Sequence, residues 1–158
     1  MIYSLPASMS REVYESLVTG LLDQEEWFGL VWRSTPKASA ISSGLAPLEF
    51  ERRRTDRWPG TQLIGHQATV VRYRASPEAL PHLLSVNSLY DWFGSDLPED
   101  LFFGSNSWQL ALVSVAHERE AWLLKRRSAS LLGQKITLTR ESYSDRDMNL
   151  IKGLGTRD

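Results

Sequence analysis

Residues 100–125 read DLFFGSNSWQLALVSVAHEREAWLLK, and the pattern of this stretch decides the fold class. Residues 100–103 are short and extended in character. Residues 104–107 hold the glycine, serines and asparagine that are typical of a turn. Residues 108–116 then give the strongest predicted strand of the chain. Consecutive strands joined by short turns predict antiparallel pairing.

The segment after this strand has two possible structures. Residues 117–120 read as a charged turn, and residues 121–125 could return as a hairpin partner. Glu, Arg, Ala, Leu and Lys also favour a helix over residues 116–132. We prefer the hairpin, followed by a last strand over residues 134–140.

The upstream part of the chain mixes helices and strands. Ser10 can cap a helix over residues 10–23, whose apolar side chains recur at helical spacing. The remaining predicted elements are a strand over 27–33, buried on both faces, a weak helix over 36–48, a strand over 67–74 and a helix over 76–93.

Together these elements predict an α+β fold, with one mainly antiparallel sheet packed against about three helices. We assign residues 1–140 to a single globular domain. Residues 141–158 read as a polar, irregular or mobile C-terminal tail, which Leu150, Ile151 and Leu154 could dock onto the domain.

Composition limits the possible chemistry. The 158 residues include no cysteine, which excludes disulfides, thiolate metal sites and cysteine nucleophiles. The N-terminus lacks the pattern of a signal peptide, and no apolar run is long enough to cross a membrane. The sequence therefore predicts a cytoplasmic protein that does not bind membranes.

The sequence contains no clear catalytic or metal-binding motif. His117-Glu118-Arg119-Glu120 resembles the start of a zinc-protease helix, but the second histidine is replaced by Ala121. His66, His82 and His117 lie far apart, so their spacing does not indicate a metal site. We predict no metal ligands, no cofactor and no catalytic residues.

Residues 49–65 read as a long loop that carries the most distinctive local feature of the chain. Arg52, Arg53, Arg54 and Arg57 stand beside Trp58, a pattern that could bind nucleic acid. Interleaved acidic residues and a net charge of −1 weaken that interpretation. We predict a mobile arginine segment hinged on a fixed turn that starts at Trp58.

A second candidate surface is acidic. Asp96, Glu99 and Asp100 form a predicted loop that would suit a basic partner. The size, the six tryptophans and the many arginines are similar to those of immunity proteins, which neutralise bacterial toxins.

The sequence thus favours a non-enzymatic protein that binds a protein partner, such as a toxin domain, and masks its active surface. One alternative is a small hydrolase or nuclease that uses His117 with Glu118 or Glu120. The other is nucleic-acid binding through residues 52–58, which the net charge disfavours.

Overall fold

The computed structural model describes residues 2–33, 39–106, 109–133 and 135–153. In chain order the strands are β1 (Ile2–Ser4), β2 (Trp27–Trp32), β3 (Glu49–Thr55), β4 (Arg57–Trp58), β5 (Thr61–Gln62), β6 (Ala68–Arg74), β7 (Glu99–Ser105), β8 (Gln109–Val115), β9 (Glu120–Leu123) and β10 (Thr139–Glu141). The helices are α1 (Arg11–Gln24), α2 (Ala40–Leu45), α3 (Leu80–Leu83), α4 (Arg126–Ser130) and α5 (Asp145–Ile151).

Eight of the described strands form one antiparallel sheet, in the order β10-β1-β9-β8-β7-β2-β6-β3. Strands β7, β8 and β9 follow one another as a meander, as the stretch 100–125 predicts. Residues 121–125 therefore enter the sheet as a hairpin partner rather than a long helix. The predicted α+β class with a mainly antiparallel sheet is confirmed.

One face of the sheet, here called the helical face, carries the larger core. Helix α1 begins after Ser10, whose hydroxyl accepts a hydrogen bond from the amide of Val13. Its buried side chains, including Leu17 and Leu21, pack on the inward side chains of the strands. Trp32 of β2 belongs to this core and Trp27 to the core on the opposite face, and every residue of β2 is buried, which confirms that β2 is covered on both sides.

The opposite face of the sheet carries a second core that includes Trp27 of β2. It is covered by the β4–β5 hairpin and by α5, which packs on β5. We call these two elements the cover. Trp58 from the hairpin and Ile151 from α5 are buried in this core, so the cover is held by apolar contacts on each of its two elements.

A buried ionic network joins the end of α1 to the sheet. Glu25 follows α1, and its fully buried carboxylate accepts hydrogen bonds from Ser105 at 2.6 Å and Lys125 at 2.6 Å. Arg127 of α4 donates to the other carboxylate oxygen at 2.9 Å. These pairings satisfy a charge that would be costly to bury alone.

The prediction of a long loop over residues 49–65 is wrong. Strand β3 pairs with β6 along the edge of the sheet, and β4 and β5 form a separate hairpin. The arginine segment is therefore held in backbone pairing rather than mobile. Local sequence did not reveal this because the pairing partner, residues 68–74, is remote, and exposed charges are common on edge strands.

The predicted helix over residues 76–93 is also wrong. Ser76 caps a 3₁₀ turn at Pro77–Ala79, which leads into the short α3. Ser88 then caps another 3₁₀ turn at Leu89–Asp91. Serine side chains that bond nearby backbone amides compete with continuous helix, which explains the interruption.

The weak helix predicted over residues 36–48 begins at Ala40 and ends in a 3₁₀ turn at Ala46–Leu48. Its predicted start at residue 36 lies outside the described residues. Helix α4 occupies a short part of the alternative helix over residues 116–132, and the predicted last strand over 134–140 is represented by β10, which pairs with β1.

The tail is more ordered than the sequence predicts. Its first residue, Glu141, belongs to β10, and residues 145–151 form α5 behind the cap Ser144. Of the three predicted docking residues, Ile151 is buried, Leu150 is exposed and Leu154 lies outside the described residues. No helix among the described residues is both long and apolar enough to cross a membrane.

Candidate functional site

A cleft of about 630 Å³ opens between the cover and the turn that follows β8. It combines charges of both signs with apolar side chains. Its lining residues are Arg33, Arg57, Gly60, Thr61, Gln62, Leu63, Ile64, His117, Glu118, Asp147, Asn149, Leu150 and Gly153. The cleft therefore offers both polar and apolar contacts to a bound molecule.

One hydrogen-bonded pair fixes the wall behind the cleft. The indole Nε1 of Trp58 donates to Oδ2 of Asp100 at 2.9 Å, and the amide of Ala116 donates to Oδ1 at 2.9 Å. Trp58 is 2% exposed and Asp100 is 1% exposed. This carboxylate thus ties β4 to β7 and to the end of β8.

The turn between β4 and β5 is equally constrained. Pro59 and Gly60 connect the two strands, and Gly60 has a φ of +86°, a conformation that favours glycine. The amide of Gly60 donates to the carbonyl of Leu150 at 2.9 Å. A Cβ at Gly153 would lie 2.8 Å from the nitrogen of Pro59, so the end of α5 packs directly on this turn.

Two arginines approach the cleft from the sheet and from the hairpin. Arg33 follows β2, donates from Nε to Glu99 at 2.9 Å, and places its guanidinium 5.3 Å from the centre of the Trp58 ring. Arg57 donates from Nε to Asp56 at 3.3 Å. Both guanidinium groups keep further donors for a bound molecule, because each carries five N–H bonds.

His117 and Glu118 stand on the opposite side, in the 3₁₀ turn at Ala116–Glu118. The imidazole Nε2 lies 3.7 Å from a carboxylate oxygen of Glu118, and the side chains are 47% and 57% exposed. Arg119 ends the turn in the left-handed conformation. His117 therefore faces solvent at the mouth of the cleft.

Burial raises the pKa of Asp100. The hydrogen bonds from Trp58 and Ala116 oppose this shift and lower the pKa. The nearby charge of Glu99 raises the pKa further, and His117 lowers it. The charged form of this carboxyl is thus disfavoured by desolvation and supported by its donors.

Burial also raises the pKa of Glu120, and the neighbouring carboxylates Glu118 and Glu141 add to the shift.

Comparisons with protein families, curated proteins and solved structures find no match to this chain.

The structure divides the predicted site residues into separate groups. Arg57, His117 and Glu118 line the cleft, and Trp58, Glu99 and Asp100 lie at its wall or beside it. Arg52, Arg53 and Arg54 lie on the edge strand β3, where alternate side chains point to opposite faces. Asp96 is exposed on the loop before β7, and Glu120 is exposed at the start of β9.

Two predicted constellations are therefore not assembled as expected. Trp58 is buried, so its ring is not exposed beside the β3 arginines for a base to stack on. Asp100 is buried and cannot act as a surface contact for a basic partner.

Ten of the thirteen cleft residues are not among the predicted site residues, and three of these ten, Arg33, Ile64 and Leu150, bear on what the cleft can bind. Arg33 directly follows a buried strand, which is a usual place for a functional side chain. Ile64 is 91% exposed and stands between Leu63 and Gly65, and no local pattern in the sequence marks it as exposed. The side chain of Leu150 was considered for docking and instead lines the cleft.

Among the described residues, one group of metal-binding side-chain types converges. Donor atoms of Glu99, Asp100 and His117 all lie within 4.8 Å of one another. His66 and His82 do not belong to this group, so the idea of three converging histidines has no support in the structure.

Proposed function

We propose that this chain is a non-enzymatic protein-binding protein that holds part of a partner protein in the cleft. The observation that carries the proposal is the exposure of apolar side chains there. Ile64 is 91% exposed and Leu150 is 45% exposed, and both line the cleft. Large apolar side chains grouped at a concave surface are typical of binding sites.

The charges around the cleft support a specific rather than a purely electrostatic contact. Arg33 and Arg57 are balanced by Glu118 and Asp147, so the lining has little net charge. Interfaces commonly surround an apolar centre with such a polar rim, and arginine is enriched in them. A partner would match this arrangement with an apolar anchor flanked by charges of both signs.

For the partner we propose a bacterial toxin domain, whose active surface the chain would mask as immunity proteins do. The chain's size and composition support this proposal, as does a rigid cleft wall built on Trp58 and Asp100. A preorganised surface loses little freedom on binding and can therefore mask a partner tightly.

The test uses the full chain and compares two matched variants. Ile64→Asp places a charge in the cleft, and Phe93→Asp places the same charge at another exposed apolar position, which lies outside the cleft lining. We expect a toxin domain captured by the wild-type chain to bind Phe93→Asp normally and to lose at least about tenfold in affinity for Ile64→Asp. A tenfold loss corresponds to about 1.4 kcal/mol.

Growth rescue supplies the functional readout. Wild-type chain and Phe93→Asp should restore growth to bacteria that produce the captured toxin domain, whereas Ile64→Asp should not. Equal binding by both variants would refute the cleft as the docking site. Binding without rescue would refute neutralisation while leaving protein binding intact.

One observation favours a second candidate function, a small hydrolase or nuclease. His117 shares the cleft with Arg33 and Arg57, which could hold an anionic substrate near a general base. Glu118 lies 3.7 Å from His117, whereas Glu120 does not line the cleft.

The enzymatic alternative predicts cleavage of an activated phosphodiester that His117→Ala abolishes and His66→Ala leaves unchanged. Cleavage that survives His117→Ala would reject this role for the histidine.

A further inference from the structure

We infer that Glu99, Asp100 and His117 form a binding site for a divalent first-row transition metal ion such as Zn²⁺. Their donor atoms all lie within 4.8 Å of one another. Glu99 and Asp100 begin β7, and His117 arrives from the turn after β8, so the fold brings two separate segments to one point. This inference goes beyond the proposed function and does not depend on it.

The distances suit one shared ion after small side-chain movements. Zn²⁺ binds imidazole nitrogen at about 2.0–2.1 Å and carboxylate oxygen at about 2.0–2.2 Å, so two ligand atoms of a tetrahedral site lie roughly 3.3–3.6 Å apart. Donor atoms up to 4.8 Å apart must therefore approach one another by roughly 1.2–1.5 Å. The half-exposed imidazole of His117 has room to rotate, while the buried Asp100 provides a fixed point.

Neighbouring groups already orient the two carboxylates. Trp58 and Ala116 each donate one hydrogen bond to Asp100, and Oε2 of Glu99 accepts one from Arg33. A carboxylate offers about four acceptor positions, so both side chains retain capacity for a metal bond. Such outer hydrogen bonds are typical of carboxylates that bind metals.

The donor set indicates the class of ion. One imidazole and two carboxylates suit Zn²⁺ or Mn²⁺, and their two negative charges match a divalent ion. Glu118 lies 3.7 Å from His117 Nε2. When one ring nitrogen of His117 binds the metal, the other carries a proton and can donate a hydrogen bond to Glu118, which would orient the ring. Three protein ligands leave a coordination position for water or for a donor atom of a molecule in the cleft.

Arg33 sets a limit on affinity. Its guanidinium contacts Glu99 and would stand close to the bound cation, so the two positive charges oppose each other. We therefore expect Arg33→Gln to strengthen metal binding. The matched control is removal of Arg57, the other arginine of the cleft. If the carboxylates were only a loose acidic patch without defined ligands, removal of Arg57 would raise the affinity for the cation as much as Arg33→Gln does.

The experiment is calorimetric titration of the metal-free full chain with Zn²⁺ alone near neutral pH. We expect saturable binding of one ion, weakened at least about tenfold by His117→Ala and by Glu99→Gln, in line with the loss of a ligand. His66→Ala is the control, because His66 is exposed and lies outside the group. Thermal unfolding of each metal-free variant will show whether the fold is retained.

Three results would overturn the inference. They are no saturable binding, binding that His117→Ala and Glu99→Gln leave unchanged, or an equal loss on His66→Ala, which would indicate adventitious surface histidines. If either variant fails to fold, the charge-preserving Glu99→Asp decides the matter, since it shortens the ligand and should still weaken Zn²⁺ binding. None of these measurements involves a protein partner, so their failure is separate from failure of the proposed function.

Discussion

Asp100→Asn should destabilise the protein by removing one acceptor from a buried pair of hydrogen bonds. The carboxylate accepts from Trp58 Nε1 and from the amide of Ala116, each at 2.9 Å, in a residue that is 1% exposed. Asparagine has one acceptor oxygen, so one of the two donors would face its NH₂ group. The backbone is not the cause, because asparagine tolerates the φ of +57° found here.

The size of the effect follows from two opposing contributions. Leaving a buried donor without an acceptor costs about 1–3 kcal/mol. Asparagine also removes a carboxyl whose charged form burial disfavours, which returns part of that cost. We expect a net loss of about 2 kcal/mol in the free energy of unfolding near neutral pH.

Urea denaturation of Asp100→Asn, Trp58→Phe and the double variant measures the interaction energy between the two side chains. Trp58→Phe removes the indole donor, so it should cost about 1–2 kcal/mol less in the Asp100→Asn background than in the wild type. Asp96→Asn, on the exposed loop that precedes β7, should change stability by less than about 0.5 kcal/mol. Additive effects, or a loss below that of Asp96→Asn, would refute the assigned role of this pair.

Three further predictions concern the rest of the molecule. Arg53→Ala combined with Arg54→Ala should change the free energy of unfolding by less than about 0.5 kcal/mol in urea, because both side chains are exposed on an edge strand. Glu25→Gln should cost about 2–3 kcal/mol, since its fully buried carboxylate pairs with a lysine and an arginine that reach solvent, while Asp23→Asn on the exposed side of the helix should cost little. Burial raises the pKa of Asp100 in the folded protein. The stability that this group contributes is therefore complete below its unfolded pKa and is lost as the pH rises through its folded pKa. In equilibrium unfolding, the stability of the wild type relative to Asp100→Asn should fall with rising pH, and a rise would contradict the assignment.

The parts of the fold that could be predicted are those where local pattern and tertiary contact agree. Helix α1 combines a serine cap with helical spacing of apolar residues, and β2 is apolar at every position because both of its faces are buried. Strand β8 shows the same agreement between composition and burial.

Strand β3 could not be predicted because its stabilisation comes from a remote partner. Its own residues are mostly charged, and the backbone hydrogen bonds that hold it come from β6. The tail shows a similar limit, since Tyr143 accepts a hydrogen bond from Trp122 at 2.8 Å and Ile151 fills a gap in the core that the tail sequence alone does not reveal.

The sequence singled out residues of the candidate site but did not reveal which of them lie together. His117 and Asp100 were assigned to different surfaces, because their contact depends on the antiparallel pairing of β7 and β8, which brings Asp100 close to the turn after β8. Arg57 was grouped with the arginines before it, although Thr55 and Asp56 end β3 and redirect the chain into the hairpin.

The cleft and the tail are one structural feature, and this bears on what the cleft can do. The amide of Gly60 is held by the carbonyl of Leu150, and the close approach of Gly153 to Pro59 leaves no space for a larger residue. The same turn carries Trp58, which is anchored to Asp100. A wall held from both sides in this way resists deformation, whereas the side chain of Ile64 at the rim is almost fully exposed. Rigid support beneath an exposed apolar rim is what a surface needs in order to bind a folded partner without first reorganising.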